Sequence, residues 1–173
     1  SPVIYEEEIK KSVFITHLAH TPSIEAAKAF IDSIKAEHSS ARHNCWGFVA
    51  GRAEDSMKWG FSDDGEPSCT AGKPILAQLS GSGVGEMSAV VTRYSGGIKL
   101  GTGGLVKAYG GGVQQALKLL QNAKFDVVLL DYRLPGTNGI EFLFKLKNTP
   151  DVQVTAIVMV SNYADDKLLI EAI

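Results

Sequence analysis

The chain has 173 residues, 45% of them hydrophobic and 21% charged, enough to bury a core and too apolar for a disordered or fibrous protein. Its apolar stretches, Val127–Leu130 and Ala156–Val160 among them, fall far short of the roughly 20 residues that cross a bilayer, and no signal-peptide pattern opens it, so a cytoplasmic protein without membrane contact is expected. The formal net charge of −2 hides an asymmetry: residues 1–87 carry eight bases and twelve acids, whereas residues 88–120 carry Arg93, Lys99, Lys107 and Lys118 and no acid.

Val3–Glu8 and Val13–His20 hold β-branched and aromatic residues and predict two strands, a hairpin or one bent ribbon. Ser23 is placed to cap a helix in which Ala26, Ala27, Phe30, Ile31 and Ile34 repeat at helical spacing as far as His38. His43–Val49 and Met57–Phe61 read as strands separated by a polar turn. A helix over Ala71–Leu79, opened by Gly72-Lys73-Pro74, leads through "GSGVG" to an apolar strand, Met87–Tyr94. From about Thr102, Leu105, Val106, Tyr109, Val113, Ala116, Leu117 and Leu120 return at helical spacing although Gly110–Gly112 sit among them. Glycine inside a helix costs up to about 1 kcal/mol, so close approach of another backbone is expected there. Past Asn122 the pattern becomes strand (Phe125–Asp131), helix (Gly139–Lys147), strand (Val152–Ser161) and the start of a helix (Asp165–Ile173).

Two resemblances meet near Leu120. "HNCWGFVAG", "FSDDGEPSCTAGKPIL" and "VTRYSGGIKLGTGGLVKAYGGGVQQAL" resemble the YigZ/IMPACT family over about residues 7–120, within a first domain at 1–120. The resemblance implies an α+β fold, a sheet with helices on one face like that of a domain in ribosomal proteins and elongation factor G. It also implies a role around translation or RNA rather than a defined catalytic activity. Residues from about 124 to 173, within a second segment at 121–173, resemble an incomplete receiver domain of response regulators, a β-α-β-α half of a flavodoxin-like fold, through "VVLLDYRLPGTNGIEFL" and "VTAIVMVSNYADDKLLIEAI". That match makes Asp131 the phosphoacceptor and Ser161 the switch hydroxyl, and the combination of the two segments is a natural fusion, a recombinant chimera or a frame-altered product. A β-α-β-α piece exposes apolar faces on both sides of its short parallel sheet, so it is expected to pack on the first domain or to form a homodimer.

The chemistry these segments promise is unequal. Phosphoryl transfer to Asp131 needs a metal-binding acidic pair and a lysine, and residues 124–173 lack the strands that bring them in receivers. A phosphorelay role is therefore the disfavoured alternative, and a hydrolase built on Asp63, Asp64 or Glu66 ranks below it, because Asp-Gly before Pro67 reads as turn chemistry. The glycine–lysine segment is neither a Walker A loop nor a dinucleotide fingerprint, since no Gly-Lys-Ser/Thr occurs and Val106 replaces the last small residue. Gly96, Gly97, Gly101, Gly103 and Gly104 nevertheless lead into a helix start, where free N–H groups attract anions, with Arg93, Lys99 and Lys107 beside them and Tyr94 and Tyr109 available for stacking. A plainer account is that the glycines permit tight packing and the lysines are solvated. The family resemblance favours a non-catalytic protein that contacts RNA or a ribosome- or translation-associated partner. No catalytic residue, metal or cofactor is expected. His17 and His20 fall on opposite faces of their strand, His43 and Cys45 lack a third ligand, and both cysteines, Cys45 and Cys69, are read as reduced, mostly buried thiols.

Overall fold

Seven residue pairs, from Val3↔Leu18 to Ile9↔Ser12, join β1 (Val3–Ile9) to β2 (Ser12–His20) in an antiparallel hairpin. Between them Lys10 and Lys11 have φ of 48° and 64°, the doubly left-handed pattern of a type I′ turn, whose twist matches that of the strands. The computed structural model describes residues 2–121 and the strands Phe125–Asp131, Arg133–Leu134, Thr137–Asn138 and Val154–Val160. The chain divides into two units, residues 1–120 and 121–173.

In the first unit α1 (Ile24–Glu37) follows the hairpin, and the Ser23 hydroxyl accepts the Ala26 N–H at 3.0 Å as its N-cap. β3 (His43–Val49) and β4 (Trp59–Ser62) come next, then α2 (Gly72–Gly81), β5 (Met87–Tyr94) and α3 (Gly101–Gln121). Met57 lies in a single 3₁₀ turn, Ser56–Lys58, rather than in β4, because the Asp55 carboxylate accepts the Met57 N–H at 3.2 Å and closes that turn. The five strands form one antiparallel sheet in the order β1-β2-β5-β3-β4.

β5 lies at the centre, and its neighbouring residues point to opposite faces. Met87, Ala89 and Val91 join Phe14, Leu18, Cys45 and Val49 beneath α2 and α3, which contribute Ile75, Leu79, Leu105, Tyr109 and Val113. Val90 and Phe48 pack instead on Ala27, Ile31 and Ile34 of α1. The fold is α+β as expected, but its helices cover both faces of the sheet where the resemblance implies one. The cause is the run of six buried residues Met87–Thr92, which needs cover on both sides.

α3 continues through Gly110–Gly112 for one local reason. A Cβ on Gly112 would stand 2.5 Å from Oγ1 of Thr16 on β2, whereas one on Gly111 would meet nothing within 4 Å. The close approach is therefore made at one glycine of the three, and by a side chain rather than a backbone.

On the α1 face, His17 is 2% exposed and its Nε2 has no hydrogen-bond partner among the described residues. Its ring lies 5.2 Å from that of His38, whose Nδ1 is bonded to the Tyr94 hydroxyl at 2.8 Å and whose Nε2 stands 3.8 Å from Glu37. Burial and then the His38 charge lower the His17 pKa, with Glu37 opposing them.

In the second unit β6 (Phe125–Asp131) pairs parallel with β9 (Val154–Val160), from Phe125↔Val154 to Asp131↔Val160. β7 (Arg133–Leu134) and β8 (Thr137–Asn138) form a short antiparallel ribbon. The helices expected at 139–147 and 165–173 lie outside the described residues.

Substituting Gly111→Ala should stabilise the protein by about 0.5–1 kcal/mol, and Gly112→Ala should destabilise it by about 1–3 kcal/mol through overpacking against Thr16; urea denaturation of both variants checks the contrast. His17 sets a pH dependence. Its folded pKa lies below the ordinary 6.5, so the unfolded chain takes up a proton that the folded chain refuses. This part of the stability is complete above about pH 6.5 and is lost as the pH falls from there through the lowered value. Unfolding free energies measured from about pH 7.5 to 5 should fall with pH, and less steeply in His17→Leu.

Candidate functional site

The "FSDDGEP" loop that leaves β4 uses each of its acids structurally. No side chain at Ala71 caps α2. Asp63 performs that task from across the loop, accepting the N–H groups of Gly72 at 2.8 Å, Cys69 at 2.9 Å and Ala71 at 3.1 Å. Burial opposes its ionisation, but the Gly72, Cys69 and Ala71 N–H groups and the Lys73 charge outweigh it and hold the carboxyl below the usual carboxylate range. Asp64 turns the chain with φ of 41°, followed by Gly65 at 85°. Its carboxylate accepts the Asn44 N–H at 2.7 Å, and its carbonyl accepts Nδ1–H of His43 at 2.8 Å.

Glu66 is the deepest of the three, with a side chain 3% exposed. Its Oε1 accepts Nε–H of Arg93 at 2.5 Å and the Tyr109 hydroxyl at 2.7 Å, while His43 Nε2 stands 3.9 Å from Oε2. Burial works against the Arg93 charge, but the bond to Glu66 and its charge more than restore it, and the Arg93 pKa is raised. Burial, then Cys45 and Glu66, push the Tyr109 phenol upward, so it stays a neutral donor. Burial likewise pushes the Cys45 thiol up to about 12, which makes it inert. Cys69, expected to be buried, is exposed, because it occupies a left-handed position (φ 64°) in the loop before α2.

Arg93 also borders the segment between β5 and α3. Gly96 packs so closely on the hairpin turn that a Cβ there would collide with the Lys11 carbonyl, and its N–H donates to the Ser12 hydroxyl at 3.3 Å. Gly97 (φ 81°) and Gly101 (φ 76°) supply left-handed bends on either side of Ile98-Lys99-Leu100. This loop, the start of α3 and Glu66 surround a cavity of about 400 Å³, lined among others by Arg93, Ile98, Lys99, Thr102 and Leu105. The first turn of α3 contains no acidic residue, so its unpaired N–H groups and the Lys99 ammonium give the cavity mouth a positive potential.

The residues singled out in the sequence are only partly brought together. Arg93, Gly97, Lys99 and Gly101 line this cavity. Gly104 and Lys107 line a separate groove of about 540 Å³ between β1 and α3, with Tyr5, Glu7 and Gln114. Gly103 is exposed, and nothing lies within 4 Å of where its Cβ would be.

Neither of the two tyrosines is available for stacking. Tyr94 follows Arg93 on β5 and so projects to the α1 face, where its hydroxyl meets His38. Tyr109 is fully buried against Phe14 and Glu66. Neither ring can stack on a base bound beside Lys99. Glu66, the residue that organises the site, reads as a turn residue in the sequence, because its partners Arg93 and Tyr109 stand 27 and 43 positions away. Among the described residues no group of three or more His, Cys, Asp or Glu side chains is arranged to hold a metal ion, and no helix is long and apolar enough to cross a membrane. Asp131 is the last residue of β6, opposite Val160; Ser161 lies outside the described residues.

Residues 103–173 match the response regulator receiver domain, overlapping along α3 with a longer match to the Impact N-terminal domain over residues 10–117. The chain is 69% identical over 120 residues to IMPACT family member YigZ of Escherichia coli (strain K12), covering 69% of this chain and 59% of that protein. It is 65% identical over 122 residues to an IMPACT family member of Haemophilus influenzae, covering 70% and 59%. A crystal structure of a hypothetical protein superposes with a TM-score of 0.66 and 69% identity, over 68% of this chain and 57% of the other. The chain thus spans about 59% of the length of the first two relatives. Through residues 10–117 it belongs to the Impact N-terminal domain family.

Proposed function

We propose that this protein is a non-catalytic, cytoplasmic binding module that engages single-stranded RNA through the phosphate backbone at Lys99 and the first turn of α3. The observation that carries the reading is the coincidence, at one cavity, of an exposed lysine, a left-handed glycine loop and the acid-free start of a 21-residue helix. Glu66 adds little repulsion, since Arg93 neutralises it at 2.5 Å. With both tyrosines turned away, contact to phosphate rather than stacking supplies the affinity. Lys107, on the next groove along α3, offers a second cation to a strand that passes the helix start.

Titration of a fluorescent single-stranded RNA should give an affinity whose logarithm falls linearly with the logarithm of salt concentration, by about 0.7 for each phosphate neutralised. Lys99→Ala should weaken binding several-fold and lower that slope by about one phosphate's share, and Lys107→Ala should do so additively. Affinity independent of salt, or unchanged in both variants, would contradict the proposal.

A further inference from the structure

Glu66 has one more oxygen than its partners use. Two donors, Nε–H of Arg93 and the Tyr109 hydroxyl, occupy Oε1, which saturates its two lone pairs. Oε2 has no hydrogen bond among the described residues, and His43 Nε2 at 3.9 Å is beyond hydrogen-bond reach. The carboxylate is nonetheless 3% exposed and sits on the wall of the cavity that Lys99 borders. Oε2 is not one of the fully buried polar atoms without a partner, so it is reached from the cavity, and a ligand hydroxyl there would take the place of water.

We infer that the cavity holds one ribose–phosphate unit of the RNA, with a ribose hydroxyl donating to Glu66 Oε2 and the phosphate at Lys99 and the first turn of α3. This rests on the RNA-binding reading and names the chemistry of that site. The two ends of the cavity ask for different groups, a neutral donor at the compensated Glu66–Arg93 pair and an anion at the helix start. Ribose and phosphate carry those groups side by side in every ribonucleotide, whereas base amino groups vary with sequence. A carboxylate that accepts a ribose hydroxyl while a helix N-terminus holds the phosphate is a pairing found in nucleotide-binding folds. About 400 Å³ lies within the range of small-ligand cavities. Pro67, Ile98, Leu100 and Leu105 supply an apolar wall without an aromatic ring, suited to the carbon face of a sugar and indifferent to base identity. The hydroxyl contact makes the site selective for RNA over DNA.

The test compares three oligonucleotides of one sequence on the unaltered protein: RNA, its 2′-deoxy counterpart and its 2′-O-methyl counterpart, which keeps the ribose shape but removes the donor. RNA should bind about tenfold more tightly than either, the usual weight of a hydrogen bond to a charged group. In Glu66→Gln, confirmed as folded by circular dichroism, that preference should shrink, while the salt dependence persists and steepens with the uncompensated Arg93 charge. Equal affinity for RNA and its 2′-O-methyl form, with salt-dependent binding of both, would overturn the ribose assignment and leave the RNA reading standing. No binding of any oligonucleotide would overturn both. A free ribonucleoside monophosphate that binds Glu66-dependently while RNA does not would overturn RNA as the source and retain the ribose–phosphate chemistry.

Discussion

The Glu66 carboxylate is the constraint around which the first unit is arranged. It comes from the loop after β4, and it accepts bonds from β5 through Arg93 and from α3 through Tyr109. A buried carboxylate is tolerated only when a cation and hydrogen bonds replace its lost water. Arg93 and Tyr109 meet that requirement and thereby pin the sheet, the loop and the helix to one point. The start of α3 is consequently held beside β5, and the short Ser95–Leu100 connection is forced into the two left-handed bends at Gly97 and Gly101.

That arrangement also decides which charges remain available. Arg93, the strongest cation of the acid-free segment, is consumed by Glu66, and the positive character of the cavity passes to Lys99 and to the N–H groups that open α3. Asp63 acts in the same way at α2, where three N–H groups converge on its carboxylate. The start of α2 is closed by an acid of its own chain, whereas at the start of α3 no side chain among the described residues accepts the first N–H groups. This difference, more than net charge, separates a structural cap from a place where an external anion can sit.

Much of the fold was readable from local pattern. The Ser23 cap, the helical repeat of α1 and the apolar run of β5 each stand within a few residues of one another, and the structure agrees with them. The orientation of Tyr94 is legible in the sequence, since adjacent residues of a strand face opposite ways and Arg93 takes the side toward the glycines. Tyr109 likewise belongs to the apolar stripe with Leu105, Val113 and Ala116, which marks it as core. The two-sided cover of the sheet and the role of Glu66 were not readable, because both depend on contacts between distant positions, and no turn or helix signal encodes a bond across 27 or 43 residues. Lys10 and Lys11 in left-handed geometry are similar: the hairpin register imposes that turn against the preference of its residues.

The central claim, that the Glu66–Arg93 pair holds the site together, is tested most directly by a double-mutant cycle on stability with Glu66→Leu, Arg93→Met and the two combined. Removing either partner alone strands a buried charge and should cost about 3–5 kcal/mol. The combined variant should lose far less than the sum, because neither charge remains unpaired. Costs that simply add would show the two residues acting independently and would contradict the account.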